Sequence, residues 1–481
     1  MRYNCHKYNF WFLKYKISLL SVEQGSRVSR LWAWSLPPVW YNHAADAPQH
    51  APSKGAVPPM RIVVYGGHPL SGTFRPSGNS NAALALIAAS LLTEAQVTLH
   101  DVPDTSTTAL MLDAARALGA QVTHDGDAHH LVTPALHTRA LGPEITDGQV
   151  GAVMLLASIL ARRRHARLET AYPLSRLHTH LTALRDLGID IHITGDVIDF
   201  TAEPWGHREL TLLQTSVTAT ALVCMLAAAM GRETLVCNAA SEPHIQDLLH
   251  MLAMMGAHIE GIGSNRLLIH GADPLGGAEV ALRPDHIEIA SIAAIGAITG
   301  GTLTIEDVEP GDMQLIRRVY GRLGVNLYLN DRTLFVPAHE SLAISQKVEE
   351  LDLPIETAPW PGFPSDLVAM TTVIATQARG TTLIHEKLFD NRLLFVDKLT
   401  AMGAQIVLCD PHRALVVGPS PLRGEYLDTP DVRTGLALLA AALCSRDSCV
   451  TIDSAELIDR TFENVVSKLV GLGAQIEVVQ R

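Results

Sequence analysis

The stretch "RPSGNSNAALALIAASLL", Arg75 to Leu92, runs from a polar loop into an alanine-rich apolar helix. Unpaired N–H groups at a helix start attract anions, so such a loop can cradle a phosphate or carboxylate. A lysine commonly strengthens that contact. Here the loop offers Asn79, Ser80 and Asn81, and no cation nearer in sequence than Arg75. Other chemistry-bearing patterns are weaker. His178 and His180 stand at i, i+2 and point to different sides of a helix, whereas helical zinc pairs use i, i+4, so no metal site is expected. His129 and His130 precede an apolar strand and read as surface residues. Glu242, just ahead of Pro243, suits the positive end of a helix dipole. No glycine fingerprint of a dinucleotide site and no P-loop is present.

These residues belong to a long chain. Its 481 residues imply two or more domains, a net charge of -12 argues against a general nucleic-acid binder, and 47% apolar content argues against disorder. No apolar run approaches the roughly 20 residues of a membrane helix. Cys5, Cys224, Cys237, Cys409, Cys444 and Cys449 form no CxxC pair, and several lie in apolar runs. Buried, reduced thiols and a cytoplasmic location are expected. Residues 1–59 differ from the rest: they hold Trp11, Trp32, Trp34 and Trp40 and end in a Pro/Ala/His-rich run. They are expected to be a disordered or mis-assigned extension, with the natural start at Met60.

A phrase of about 70-residue period organises the remainder. "ALGAQV", "DLGIDI", "MMGAHI", "RLGVNL", "AMGAQI" and "GLGAQI" place Gly119, Gly188, Gly256, Gly324, Gly403 and Gly473 where a helix should stop and a strand begin. Ala-rich helices such as "ALVCMLAAAM" precede short strands. They are apolar nearly all round, which predicts helices inside and sheets outside.

Six βαβαββ-type units with buried helices resemble the α/β inside-out barrel of the enolpyruvyl transferases. The likeness spans Met60 to Arg481. Within that family the phrases "SGNSNAALALIAASLL", "VCNAASEPHIQDLLHMLAMMGA", "LRPDHIEIAS", "TAPWPGFPSDL", "LFDNR", "DVRTG" and "IDRTFENV" are most similar to the branch acting on UDP-N-acetylglucosamine. The resemblance implies two three-unit domains, 80–282 and 60–79 plus 283–481, with the active site between them. It also implies enolpyruvyl transfer from phosphoenolpyruvate to a hydroxyl of a nucleotide sugar in peptidoglycan precursor synthesis. No metal or organic cofactor is implied; the partners are small substrates, without nucleic acid or membrane. Transfer to another acceptor, or binding without turnover, are the alternatives.

Carried over residue by residue, the resemblance makes Asp366 the candidate base. Arg392, Arg433 and Arg460 become phosphoenolpyruvate-side cations, and Asp431 a neighbouring acid; ordinary ion pairing is the competing role for each. Substrate-binding positions fall on Ser80, Asn81, Arg176, Ser216, Asp285, His286 and Leu388. Glu242 and Glu288 lie in matched phrases as well. The chain departs from the family in three places. Ser80 stands where most relatives carry lysine, Val150 where arginine is expected, and "ARRRHARLETAYPLSRLH" is a shortened loop without its cysteine. The basic run Arg162, Arg163, Arg164, His165 and Arg167 either compensates from within the cleft or is a solvated loop.

Overall fold

The structure, a computed structural model, describes residues 60–146, 150–169, 173–345, 353–429, 431–446 and 449–480. The expected extension, residues 1–59, lies outside the described residues, as does the middle of the shortened loop, 170–172.

Seven helices matter for the site: α1 (Ser80–Ser90), α2 (Val217–Met230), α3 (Pro243–Met254), α4 (His286–Thr299), α5 (Val368–Gln377), α6 (Val432–Cys444) and α7 (Val465–Gly471). In α1, α2, α4, α5 and α6 nearly every side chain is buried, as their all-round apolar sequences require. The sheets lie outside them, and alternate residues on many strands face outward. That alternation corrects one expectation. Cys224 is buried, and Cys444 half-buried at its helix end, whereas Cys409 and Cys449 are exposed, because each is an outward-pointing residue of its strand.

Among the described residues the strands form six small sheets. In one, Met60–Tyr65 lies antiparallel between Cys449–Asp453 and Gln475–Gln480, with Ile62 opposite both Ile452 and Val478. Gly72–Phe74 runs parallel to Leu303–Ile305 in another. The first two described strands therefore lie among strands from the second half of the chain. All six repeated glycines have positive φ, from 84° at Gly188 to 119° at Gly119. At Gly119 a Cβ would also stand 2.3 Å from the carbonyl oxygen of Ala135, so no side chain fits there.

Buried apolar side chains form two clusters. One draws on Ala82 to Leu282, the other on Ile62 to Phe74 and Ile287 to Ala474. The chain crosses between them twice, and the crossings are bonded together. Gly78 bridges Pro284, Asn79 N–H donates to the Arg283 carbonyl (3.0 Å), and Asp285 N–H donates to the Ser77 carbonyl (2.9 Å). Gly78 permits this contact because a Cβ there would lie 2.0 Å from the Asp101 carbonyl oxygen.

Candidate active site

A short turn, Ser365–Leu367, opens α5 and presents Asp366, whose side chain is 27% exposed. Arg392 Nη1 donates to its Oδ1 at 3.2 Å, and Arg433 Nη2 stands 3.1 Å from its Oδ2. Burial by itself would raise the Asp366 pKa. The two guanidinium charges outweigh it and hold the carboxyl at about 2. Aromatic faces support both cations, Phe462 under Arg433 at 5.3 Å and Phe389 under Arg392 at 4.8 Å. Arg433 is oriented from behind, because Asp431 caps α6 by accepting the backbone N–H groups of Arg433 and Thr434 at 3.0 Å each.

The sequence reading missed what holds these loops together. Glu386, fully buried, accepts from Thr357 Oγ1 (2.9 Å), Ser365 Oγ (2.6 Å), Leu388 N–H (2.8 Å) and Phe389 N–H (3.1 Å). One carboxylate thus ties the Asp366 turn to the loop that carries Arg392. An acid two residues ahead of Leu388 in "EKLFDNR" was the available signal.

The first turns of α3 and α4 supply the other wall. Asp285 caps α4 by accepting from Ile287 and Glu288 N–H. His286 follows, edge-on to Trp360 at 5.4 Å between ring centroids, and Ser241 Oγ donates to the Trp360 carbonyl at 2.8 Å. His244 and His286 are buried. Burial pushes their pKa values down to about 3 and about 4, so both rings are neutral near pH 7. Burial also raises the carboxyl pKa of Glu242, beside Asp366. Here both ring nitrogens of His244, Nδ1 of His286, Oε2 of Glu242 and Nη1 of Arg433 are buried without a hydrogen-bond partner in the described protein. A buried unpaired polar atom costs about 1–3 kcal/mol. Its concentration here marks a place built to receive a polar ligand rather than to stabilise the fold.

The opening loop is closed differently than its sequence implies. Asn79 caps α1 through Ala82 N–H, while Ser80, buried, donates through Oγ to the Thr461 carbonyl at 2.7 Å. That bond brings Arg460 next to the start of α1, and the Arg460 carbonyl accepts from Thr107 Oγ1 at 2.7 Å. Asn81 is half-buried beside Ser80. Arg75 turns away to an exposed pair with Asp307 at 3.1 Å. The cation that touches the loop is Lys468 of α7. Its Nζ stands 2.6 Å from Ser77 Oγ and 2.9 Å from the buried Glu288 carboxylate, which also accepts Ser77 N–H at 2.7 Å.

Among the described residues Ser216 and Arg176 show no contact with this grouping, and Leu388 joins it through its backbone N–H on Glu386 alone. Ser216 caps α2 through a long contact to Ala219 N–H (3.4 Å). Leu388 is 40% exposed, while Arg176 sits exposed in the turn Leu174–Leu177. The basic run is not a loop. It ends one helix, Leu156–Arg163, and enters a strand, His165–Glu169. Arg162, only 13% exposed, donates to the carbonyls of Leu91, Thr133 and Pro134, and Arg167 pairs with Asp199 at 2.8 Å. These two cations are committed to structure, which removes them as compensation for Ser80. His180 is buried on Thr218 at 2.8 Å and His178 is exposed, as their spacing predicts, whereas His129 and His130, expected ahead of a strand at the surface, lie within the strand Ala128–Val132 and are half-buried. Among the described residues no group of three His, Cys, Asp or Glu could hold a metal ion, and no helix is long and apolar enough to cross a membrane.

Residues 64–469 match the family model described as EPSP synthase (3-phosphoshikimate 1-carboxyvinyltransferase). The UDP-N-acetylglucosamine 1-carboxyvinyltransferase of Treponema denticola is 39% identical over 424 residues, 87% of this chain and 99% of that protein. The enzyme of the same name from Bradyrhizobium diazoefficiens is 40% identical over 426 residues, 88% of this chain and 98% of its own. Among solved structures, the enolpyruvyl transferase NikO from Streptomyces tendae superposes with a TM-score of 0.78 at 25% identity, covering 88% of this chain and all of that one. EPSP synthase from Acinetobacter baumannii shares the fold, with a TM-score of 0.68 at 17% identity over 88% of this chain and all of that one.

Proposed function

The chain belongs to the EPSP synthase family of enolpyruvyl transferases, and from that membership we propose that it moves the enolpyruvyl group of phosphoenolpyruvate onto a hydroxyl of UDP-N-acetylglucosamine. Phosphate is released, and the product feeds peptidoglycan precursor synthesis in the cytoplasm. The observation that carries this reading is Asp366 gripped between Arg392 and Arg433.

In the reaction the acceptor oxygen bonds to C2 of phosphoenolpyruvate, its proton passes to Asp366, and C3 gains a proton. The C2–O bond to phosphate then breaks, the departing phosphate takes the proton held by Asp366, and C3 gives back the proton it gained, which restores the double bond as an enol ether. Arg392, Arg433 and Arg460 hold the phosphate and carboxylate as charge shifts. An aspartate with a pKa near 2 is a poor base. An incoming anion that takes the two guanidinium groups removes what holds it low, so phosphoenolpyruvate binding itself raises Asp366 toward a working value.

The finer architecture belongs to the same proposal. Six βαβαββ-type units form two inside-out domains, 80–282 and 60–79 plus 283–481, which close on substrate about the paired crossings at Gly78 and Pro284. The six sheets and two apolar clusters support it. A second reading, transfer to a different hydroxyl, is favoured by Ser80 in place of lysine.

Incubating the full chain with phosphoenolpyruvate and UDP-N-acetylglucosamine, with phosphate release and enol-ether mass as readouts, tests the proposal. Turnover abolished by Asp366→Asn supports it. Turnover only with another hydroxyl acceptor moves the assignment to the second reading, and none with any acceptor refutes both.

A further inference from the structure

The arginines account for the anionic substrate and leave two buried imidazoles without a task. We propose that His244 and His286 select and orient the acceptor, offering neutral ring nitrogens to its uncharged hydroxyl or amide groups beside Asp366. The inference rests on the enolpyruvyl-transfer reading above and adds acceptor recognition to it.

The two rings come from different parts of the chain, His244 from the first turn of α3 and His286 from the first residue of α4. They are 6% and 4% exposed, and three of their four ring nitrogens have no hydrogen-bond partner among the described residues. Packing does not require imidazole here. A leucine would fill a similar volume without the unpaired nitrogens, so the positions carry a cost that the fold does not explain.

The surrounding charges say what such a pair can bind. Asp366, Arg433 and Arg283 bear on both rings, and His286 bears on His244. Arg283 is already committed, with Nε 2.5 Å from Asp247 Oδ1, Nη2 2.5 Å from the Pro243 carbonyl and Nη1 3.8 Å from Asp312. It therefore clamps the start of α3, and with it His244, against the crossing segment that carries Arg283. Anions have Arg392 and Arg433, whose charges make them far better partners than a neutral ring. A neutral imidazole instead provides one donor and one acceptor, the complement of a hydroxyl or an amide. The site is thereby divided, with cations toward phosphoenolpyruvate and imidazoles toward the sugar of the acceptor.

His244→Leu and His286→Leu in the full chain, assayed by phosphate release, test the assignment, with KM measured separately for UDP-N-acetylglucosamine and phosphoenolpyruvate. Each Leu variant is expected to raise the acceptor KM about 10-fold or more while changing that for phosphoenolpyruvate less than about 3-fold. His244→Gln and His286→Asn, which keep a neutral donor and acceptor, should recover part of the loss. The Leu variants should also melt at or above the wild-type temperature, which separates lost recognition from lost folding. Both KM values rising together, or an unchanged acceptor KM, overturns the inference while wild-type turnover leaves the function standing. Should the Leu variants not fold, His244→Ala and His286→Ala decide: a rise confined to the acceptor KM supports recognition, and a rise shared by both substrates, or none, refutes it. A wild type inactive with every acceptor refutes the underlying function as well.

Discussion

Asp366→Asn separates the two duties assigned to this residue. In the free protein its carboxylate is bound by Arg392 and Arg433, and their pull lowers its pKa from 3.8 to about 2 against the opposing effect of burial. A shift of roughly two units corresponds to about 2.5 kcal/mol. With the side chain 27% exposed, solvent screening reduces the usable part to about 1–2 kcal/mol. An anionic substrate must overcome that amount to claim the guanidinium groups, so removing the carboxylate charge should return it as affinity. Phosphoenolpyruvate is expected to bind Asp366→Asn about 5- to 30-fold more tightly, while turnover falls about 100- to 10,000-fold through loss of the base. Isothermal titration with phosphoenolpyruvate alone gives the first number and phosphate release the second. Weaker phosphoenolpyruvate binding in the Asn variant would refute the argument, because the arginines would then not be shared between Asp366 and the substrate. The stability effect has a definite sign. A depressed carboxyl pKa stabilises the fold above pH 4, and that contribution disappears as pH falls toward 2.

Two further outcomes follow from buried carboxylates. Glu386→Gln turns an acceptor of four hydrogen bonds into a group that presents an NH2 to at least one donor. It should cost about 2–4 kcal/mol in denaturant unfolding and lower turnover through the displaced Asp366 and Arg392 loops. Burial raises Glu288 to about 7 despite the opposing Lys468 charge. A raised acid pKa makes its contribution to stability fall as pH rises from about 4.5 to 7. The melting temperature of Glu288→Gln should therefore gain on wild type between pH 5 and pH 8, and a difference independent of pH would contradict this.

Much of the molecule was determined locally. Helices apolar on every side have to be buried, and six glycines at one spacing mark helix ends that need positive φ, so layered α/β units could be read without coordinates. The motif phrases carried Asp366, Arg392 and Arg433 because a loop's chemistry travels with its short sequence. Distance in the chain concealed the rest. Arg162 read as part of a solvated charge run, yet the carbonyls that bind it lie 28 to 71 residues away and only folding brings them within reach. Lys468 meets Ser77 across 391 residues, and no local pattern announces that pair. Nothing local to His244 distinguishes it from the chain's other histidines. Its meaning comes from losing water beside Asp366 and Arg433, since burial without a partner is a property of the assembled packing and not of any residue type.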